Sequence, residues 1–186
     1  MTVLFLDGNH EYFPALHAVP IDTHTGLRTI SPHVHHLPRG LRWVWHDTCW
    51  MTLGGAHSVD RPDGRHGVSW WPEEHLTDGD ITAAIGPGSS MSSFRMTPAG
   101  VCIPGLTPHA FSAREISTSD WHRDRVSAVV DATEPALLFH GHYHVRYSAR
   151  RGATTVIGVA DDSAALADNI IVFTLAGNRI GRGRSR

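Results

Sequence analysis

The chain has 186 residues, enough for one domain with a substantial hydrophobic core. Hydrophobic residues make up 41% of it and 16 basic residues nearly balance 18 acidic ones, so the composition excludes a disordered chain and a strongly basic nucleic-acid-binding domain. Every basic residue is Arg, and 15 His supply far more imidazole than packing requires, which makes metal binding the first chemistry to consider.

Cysteine usage and hydropathy both predict a cytoplasmic protein. Cys49 and Cys102 form neither a C-x-x-C motif nor a disulfide framework, so we expect reduced thiols. No basic and apolar leader occurs after Met1, and the chain lacks the run of about 18 apolar residues that a membrane span needs. We therefore expect no secretion signal and no membrane contact.

The N-terminal third begins with an apolar run at residues 2–6, which predicts a strand buried on both faces. The run ends at the polar segment Asp7–Glu11, and α/β enzymes place functional groups at such strand ends. A short helix is predicted over residues 11–17, before Pro20. Residues 22–39 are rich in Pro, Thr, Gly and His and are predicted to be a loop.

The middle of the chain predicts a β-hairpin. Aromatic and β-branched residues alternate over Leu41–Trp45 and Thr48–Leu53, on either side of a polar turn. The second strand runs into Gly54–Ser58, a second candidate functional loop. Pro and Gly interrupt residues 61–74, so a long irregular loop is predicted there.

The remaining elements complete an α+β pattern. Helices are predicted over residues 77–85 and 119–132, the second with Ser119 as its N-cap. The pattern indicates one domain over residues 1–176 and a basic disordered tail over residues 177–186. Strands are predicted over residues 136–139, 145–148, 154–159 and 170–175.

Two histidines follow the strand predicted at residues 136–139. In Gly141-His142-Tyr143-His144 the imidazoles stand two residues apart and can project into one site, while Gly141 allows close backbone approach. This spacing suits metal binding. The alternative is a pair of surface histidines on a turn, and the His-rich composition leaves both interpretations open.

The segment Asp7–Glu11 offers complementary groups. The Asn9 amide oxygen suits a hard or borderline divalent cation, and the His10 imidazole could protonate a leaving oxygen. The alternative is an Asx-type turn that caps the next helix. Because this segment and the paired histidines both follow apolar strands, their joint occurrence favours a functional site.

The segments Gly8-Asn9-His10-Glu11 and Gly141-His142-Tyr143-His144 together resemble the signature of the calcineurin-like metallophosphoesterases. The similarity extends from Val3 to about Tyr147, and three further stretches resemble phage or actinobacterial members: residues 54–60, 70–74 and 98–100. The resemblance implies a four-layer αββα sandwich with mixed sheets, incomplete at its N-terminus. It also implies two divalent metal ions (Mn, Fe, Zn or Ni) and a bridging hydroxide that attacks a phosphate ester.

The resemblance assigns roles to individual residues. Asn9 and His142 would bind the second metal, His144 would bind the first, and His10 would hydrogen-bond the phosphate and help protonate the leaving group. The substrate would be a phosphate ester, and nucleic acid is expected only as a phosphodiester substrate. His57 and Asp60 are the candidates for lining the substrate pocket, and a loop or rim position is the alternative for His57.

Two departures from the family pattern predict weak or no hydrolase activity. The family's Asp-x-His and Gly-Asp motifs precede its Gly-Asn-His, but only eight residues precede Asn9 in this sequence. The sequence therefore lacks the Asp and His that would bind the first metal and the Asp that would bridge the two metals. Arg95 stands where the family has a ligand His, and a permanent cation cannot coordinate metal. Three segments match the missing motifs by letter but follow Asn9 and would fall on the wrong strands: Asp22-Thr23-His24, Gly79-Asp80 and Asp120-Trp121-His122.

The segment Ser89–Met96 suggests a compensated frameshift in the gene or in its sequencing. The family has an apolar strand here that ends in His-Asp, whereas four of the eight residues in this chain are Ser. If TCG encodes the serines, TTC encodes Phe94 and CGC-ATG-AC spans Arg95 to Thr97, a shifted frame reads Val-Asp-Val-Val-Val-Pro-His-Asp. Codons incompatible with that string would exclude the hypothesis.

Two non-enzymatic interpretations stay open. One is a non-catalytic metallophosphoesterase remnant that binds one metal or a partner. The other is a structural zinc module built from the surplus histidines, which the lack of paired cysteines disfavours. Metal stoichiometry separates the first from an enzyme, because about two metals per chain are expected of the enzyme and one or none of the remnant.

Overall fold

The computed structural model describes residues 1–45, 47–86, 103–104 and 111–172, together with the backbone of residues 92–95. In this part of the chain, nine strands and four α-helices form a mixed α+β fold with two sheets. The strands are β1 (Val3–Phe5), β2 (Arg28–Ser31), β3 (Val34–His36), β4 (Arg42–Trp45), β5 (Thr48–Leu53), β6 (Ser92–Arg95), β7 (Leu137–His140), β8 (Tyr147–Arg151) and β9 (Thr154–Gly158). The helices are α1 (Phe13–Ala18), α2 (Asp78–Ile85), α3 (Ala113–Thr133) and α4 (Leu166–Asn169).

The smaller sheet contains three strands in the order β1-β3-β2. β1 runs parallel to β3, and β2 runs antiparallel to it. The loop predicted over residues 22–39 is therefore wrong, because two strands too short to show clear alternation lie among its Pro and Gly residues. The prediction that the first strand is buried on both faces is also wrong: β1 is an edge strand, and Val3 and Leu4 are 41% and 48% exposed.

The larger sheet has the order β4-β5-β6-β7-β9-β8. Its four inner strands are parallel, and an antiparallel hairpin closes each side. The hairpin predicted from the aromatic and β-branched pattern is confirmed as β4 and β5. Because parallel strands end at one edge of a sheet, the loops that follow β5 and β7 open on the same side.

The apolar core lies where the larger sheet packs against α2 and α3. Val126, Val129 and Val130 of α3 are buried there. The predicted start of this helix is wrong, because α3 begins at Ala113 with Ser112 as its N-cap. Its first two turns are mainly polar, so no apolar periodicity marks them, and Ser119 is a buried residue within the helix.

Some predicted features lie outside the described residues. These are Cys102, residues 98–100, the tail at residues 177–186 and most of the strand predicted over residues 170–175. Residues 170–172 are described and do not form a strand. Among the described residues, no helix combines the length and the apolar character that crossing a membrane requires.

Candidate functional site

Two glycines bring the loop after β1 against the loop after β5. A side chain at Gly54 would place its Cβ 2.1 Å from Asp7 Oδ1, so only glycine fits at this position. Gly55 has a φ of 86°, and its N–H donates to the backbone oxygen of Asp7 over 2.9 Å. The two polar loops that the sequence places after apolar strands therefore meet in the folded chain.

A buried ion pair fixes the loop after β1. The Asp7 carboxylate accepts hydrogen bonds from His36 Nε2 at 3.1 Å and from Arg39 Nε at 2.8 Å. Burial raises the pKa of Asp7, but the bond from His36 and the charge of Arg39 outweigh it and hold this pKa below its ordinary value. Arg39 also donates to the backbone oxygens of Glu73 and His75. Nothing in the spacing of the arginines singles out Arg39 for this role.

Asn9 is buried at the start of a hydrogen-bonded chain. Its Nδ2 donates to Ser58 Oγ at 3.0 Å, and Ser58 Oγ donates to Glu74 Oε2 at 2.8 Å. Because Nδ2 faces Ser58, the amide oxygen of Asn9 is turned away from Ser58 and remains an acceptor. The alternative interpretation of this segment as a helix cap is wrong, since α1 has Tyr12 at its N-cap and no side-chain cap bond.

The loop after β7 holds both of its metal-ligand candidates in a left-handed backbone conformation. His142 has a φ of 75° and His144 a φ of 57°. Such angles are uncommon outside glycine and concentrate at functional sites. The side chain of His144 is 67% exposed, and its Nδ1 lies 3.3 Å from Asp161 Oδ2.

His10 and the histidines of the loop after β7 share one electrostatic neighbourhood. Burial lowers the pKa of His142 to about 4, and the positive charges of His144 and His10 lower it as well. His142 is thus neutral at physiological pH, which is the state that binds metal. His10 is exposed and available to solvent. His10 and His144 thus both act electrostatically on His142, and Asn9 lies next to His10 in the same loop.

The two residues expected in the substrate pocket differ in their surroundings. Asp60 is exposed at the rim of a cavity of about 180 Å³ that Arg61 and Trp70 also line. His57 is 1% exposed, and its two ring nitrogens face His75 and Glu115. A substrate could reach Asp60 without rearrangement, whereas His57 contacts protein groups on both sides.

A further cluster, not predicted from the sequence, consists of His57, Glu74 and His75. A nitrogen of each imidazole and a carboxylate oxygen lie within 4.8 Å of one another. Glu74 is fully buried and His57 nearly so. Glu74 and His75 come after Trp-Trp-Pro, which forms part of a 3₁₀ turn before α2, and no metal-ligand spacing in the sequence points to them.

The three segments that match the missing family motifs by letter have structural contacts. Asp22 Oδ1 accepts from the backbone N–H groups of His24 and Thr25. Asp80 forms a capping box with Thr77 at the start of α2. Asp120 pairs with Arg123 within α3, and Asp80 also contacts Arg39, the partner of Asp7. These side chains therefore support turns, a helix start and ion pairs.

Comparison of the chain with models of protein families and with curated proteins found no match.

Proposed function

We propose that this chain is a metal-dependent phosphoesterase of the calcineurin-like type, with Asn9, His142 and His144 as metal ligands and His10 as the acid. The observation that carries the proposal is that the loop with Asn9 and His10 contacts the loop after β5 through Asp7 and Gly55, at the edge of the larger sheet where the loop with His142 and His144 also opens. The four-layer αββα sandwich is part of this proposal, and the observed pair of sheets is compatible with it.

The donor set fits a divalent cation. An amide oxygen and neutral imidazoles are ligands that Mn, Fe, Zn and Ni accept, and the bond to Ser58 orients the amide of Asn9. Bound cations would lower the pKa of a water for attack on phosphorus. His10, exposed beside this site, would then donate its proton to the leaving oxygen of the ester.

The same donor set argues for weak activity. Asn9, His142 and His144 are three ligands, whereas a two-metal centre needs ligands for cations about 3.5 Å apart. One tightly bound cation is therefore the expectation, which favours the second candidate function, a non-catalytic domain that binds one metal. The two candidate functions use the same residues, so only a measurement of phosphate-ester hydrolysis distinguishes the enzyme from the non-catalytic domain.

The test combines metal content with turnover. The chelator-treated protein would be reloaded with Mn²⁺ or Zn²⁺, and hydrolysis of p-nitrophenyl phosphate and bis-p-nitrophenyl phosphate measured for the wild type, His142→Gly and His24→Ala. Glycine suits the left-handed φ at residue 142, so this variant removes the imidazole without straining the turn. His24 is exposed in a remote turn and is the matched control.

We expect metal-dependent hydrolysis that falls at least about a hundredfold in His142→Gly and is unchanged in His24→Ala. Metal binding at the His142 site without turnover would select the non-catalytic candidate. Equal metal binding and equal turnover in the wild type and His142→Gly would contradict both.

A further inference from the structure

The side chains of His57, Glu74 and His75 converge on one point behind the loop after β5. We propose that they bind a zinc-class divalent cation, at a site separate from Asn9, His142 and His144. No ligand is shared between the two sites, so this proposal does not rest on the phosphoesterase assignment.

The distances among the three donor atoms suit a tetrahedral cation. His57 Nδ1 and His75 Nε2 are hydrogen-bonded at 2.8 Å, a bond that a cation would replace, and Glu74 Oε1 lies 3.9 Å from the first nitrogen and 3.7 Å from the second. Zinc bonds of about 2.0–2.1 Å require ligand separations of roughly 3.3 Å. Shifts of about half an ångström would bring all three atoms to that spacing, with a fourth position left for water.

Neighbouring groups orient two of the three ligands. Glu115 Oε2 lies 2.8 Å from His57 Nε2, so this nitrogen carries the proton and Nδ1 keeps its lone pair toward the site. Ser58 Oγ donates to Glu74 Oε2, and Glu74 Oε1, which accepts from the Ser58 backbone N–H at 3.3 Å, lies 3.7 Å from His75 Nε2. A carboxylate behind a ligand imidazole is the usual outer partner in zinc sites.

The surroundings contain charge and hydrogen-bonding capacity that a bound cation would satisfy. Glu74 is fully buried, so its carboxylate depends on close positive or hydrogen-bonding groups. His122 is fully buried with its ring 5.9 Å from that of His75, and neither of its ring nitrogens has a hydrogen-bond partner among the described residues. A cation with its water would supply both a positive charge for Glu74 and a partner for such an imidazole.

The geometry also shows how a cation can reach the three ligands and which side chain competes with it for Glu74. The His75 side chain is 22% exposed, which gives a cation a route from solvent. Arg61 opposes binding, because its Nε lies 3.4 Å from the Oε1 of Glu74 that the cation would use. The Arg61 guanidinium also stacks on Trp70, 3.8 Å from the ring centroid. Arg61 could keep this contact with Trp70 when a cation displaces it from Glu74.

The test isolates this site in a His142→Gly/His144→Gly background, which removes both imidazoles of the other site at positions whose φ suits glycine. Zinc affinity of the full chain would be measured by competition with a chromophoric chelator, and the coordination by the visible spectrum of the Co²⁺ form. His75→Ala would be added as the ligand variant and Glu115→Gln as the positioning variant. Circular dichroism and metal-free thermal unfolding would verify that each variant folds.

We expect one zinc per chain in the background variant, a tetrahedral Co²⁺ spectrum, and loss of both in His75→Ala. Glu115→Gln should weaken zinc binding by about ten- to a hundredfold while leaving the Co²⁺ spectrum tetrahedral. Unchanged affinity in folded His75→Ala, or no zinc bound by the folded background variant, would overturn the proposal. Neither result would bear on whether the wild type hydrolyses phosphate esters.

Discussion

Arg39 Nη2 and Nε both donate to Asp7 Oδ2, at 2.5 Å and 2.8 Å, and this pair connects the end of β1 to the segment between β3 and β4. Asp7 is almost completely buried and the Arg39 side chain is 12% exposed. The same arginine reaches the backbone of His75. The ion pair therefore holds together the loop that carries Asn9 and the segment that carries the second ligand cluster.

We predict that Asp7→Asn lowers the free energy of unfolding by about 3 kcal/mol, because it leaves the partly buried guanidinium of Arg39 without its anion. Urea denaturation monitored by circular dichroism would measure the change. Asp63→Asn, at an exposed position, is the matched control and should stay within about 0.5 kcal/mol of the wild type. Equal stability of the two variants would contradict a structural role for the ion pair.

The pH dependence of stability should reveal the same carboxylate. The pKa of Asp7 is lower in the folded chain than in the unfolded chain, so its stabilising contribution is complete above the unfolded value of about 4 and is lost as the pH falls through the folded value. We therefore predict that the stability gap between wild type and Asp7→Asn is constant from neutral pH to about pH 5 and narrows below about pH 4. Urea midpoints measured across this range would check it, and a gap that widens toward acid would contradict it.

The left-handed backbone at residue 142, after β7, leads to a prediction about the stability of two variants. At a φ of 75°, alanine at residue 142 suffers the steric cost of the left-handed region and glycine does not. We predict that His142→Gly is more stable than His142→Ala by about 1 kcal/mol in metal-free protein. Thermal or urea unfolding of the two variants would measure it. A more stable alanine variant would show that the turn does not hold this conformation.

The sequence predicts best those elements that pair with a neighbouring segment of the chain or that carry one clear apolar stripe. The hairpin of β4 and β5 alternates aromatic and β-branched residues, and the buried face of α3 repeats valines at helical spacing. β2 and β3 pair with each other and with β1 through only a few residues each. Such short pairings leave no periodic signal, because the partner strand and not the local sequence selects them.

The position of β6 in the larger sheet bears on the frameshift hypothesis. The backbone of β6 pairs with β5 on one side and with β7 on the other, so residues 92–95 occupy the interior of the larger sheet. An apolar strand is typical of that position, whereas the sequence has Ser92 and Ser93 there. The shifted string would supply such a strand, and the codons of this segment decide between the two readings.

The candidate site was predictable only where its residues stand in local sequence motifs. Asn9, His142 and His144 stand in compact motifs after apolar strands, and such motifs are visible in one sequence. His57, Glu74 and His75 depend on how the loop after β5 packs against the 3₁₀ turn before α2. Glu115 comes from α3, and no spacing rule joins it to the other three.

Arg61 offers the most discriminating prediction for the second cluster. Its guanidinium and a cation would compete for Glu74 Oε1, so replacing it with glutamine removes a positive charge from the site. We predict that Arg61→Gln binds zinc about threefold to tenfold more tightly, because charge repulsion near a protein surface amounts to about 1 kcal/mol or more. The chelator competition assay would measure this, with Arg65→Gln at an exposed position as the control. If Arg61 instead acted as the permanent partner of Glu74, Arg61→Gln would lose stability without gaining affinity for zinc.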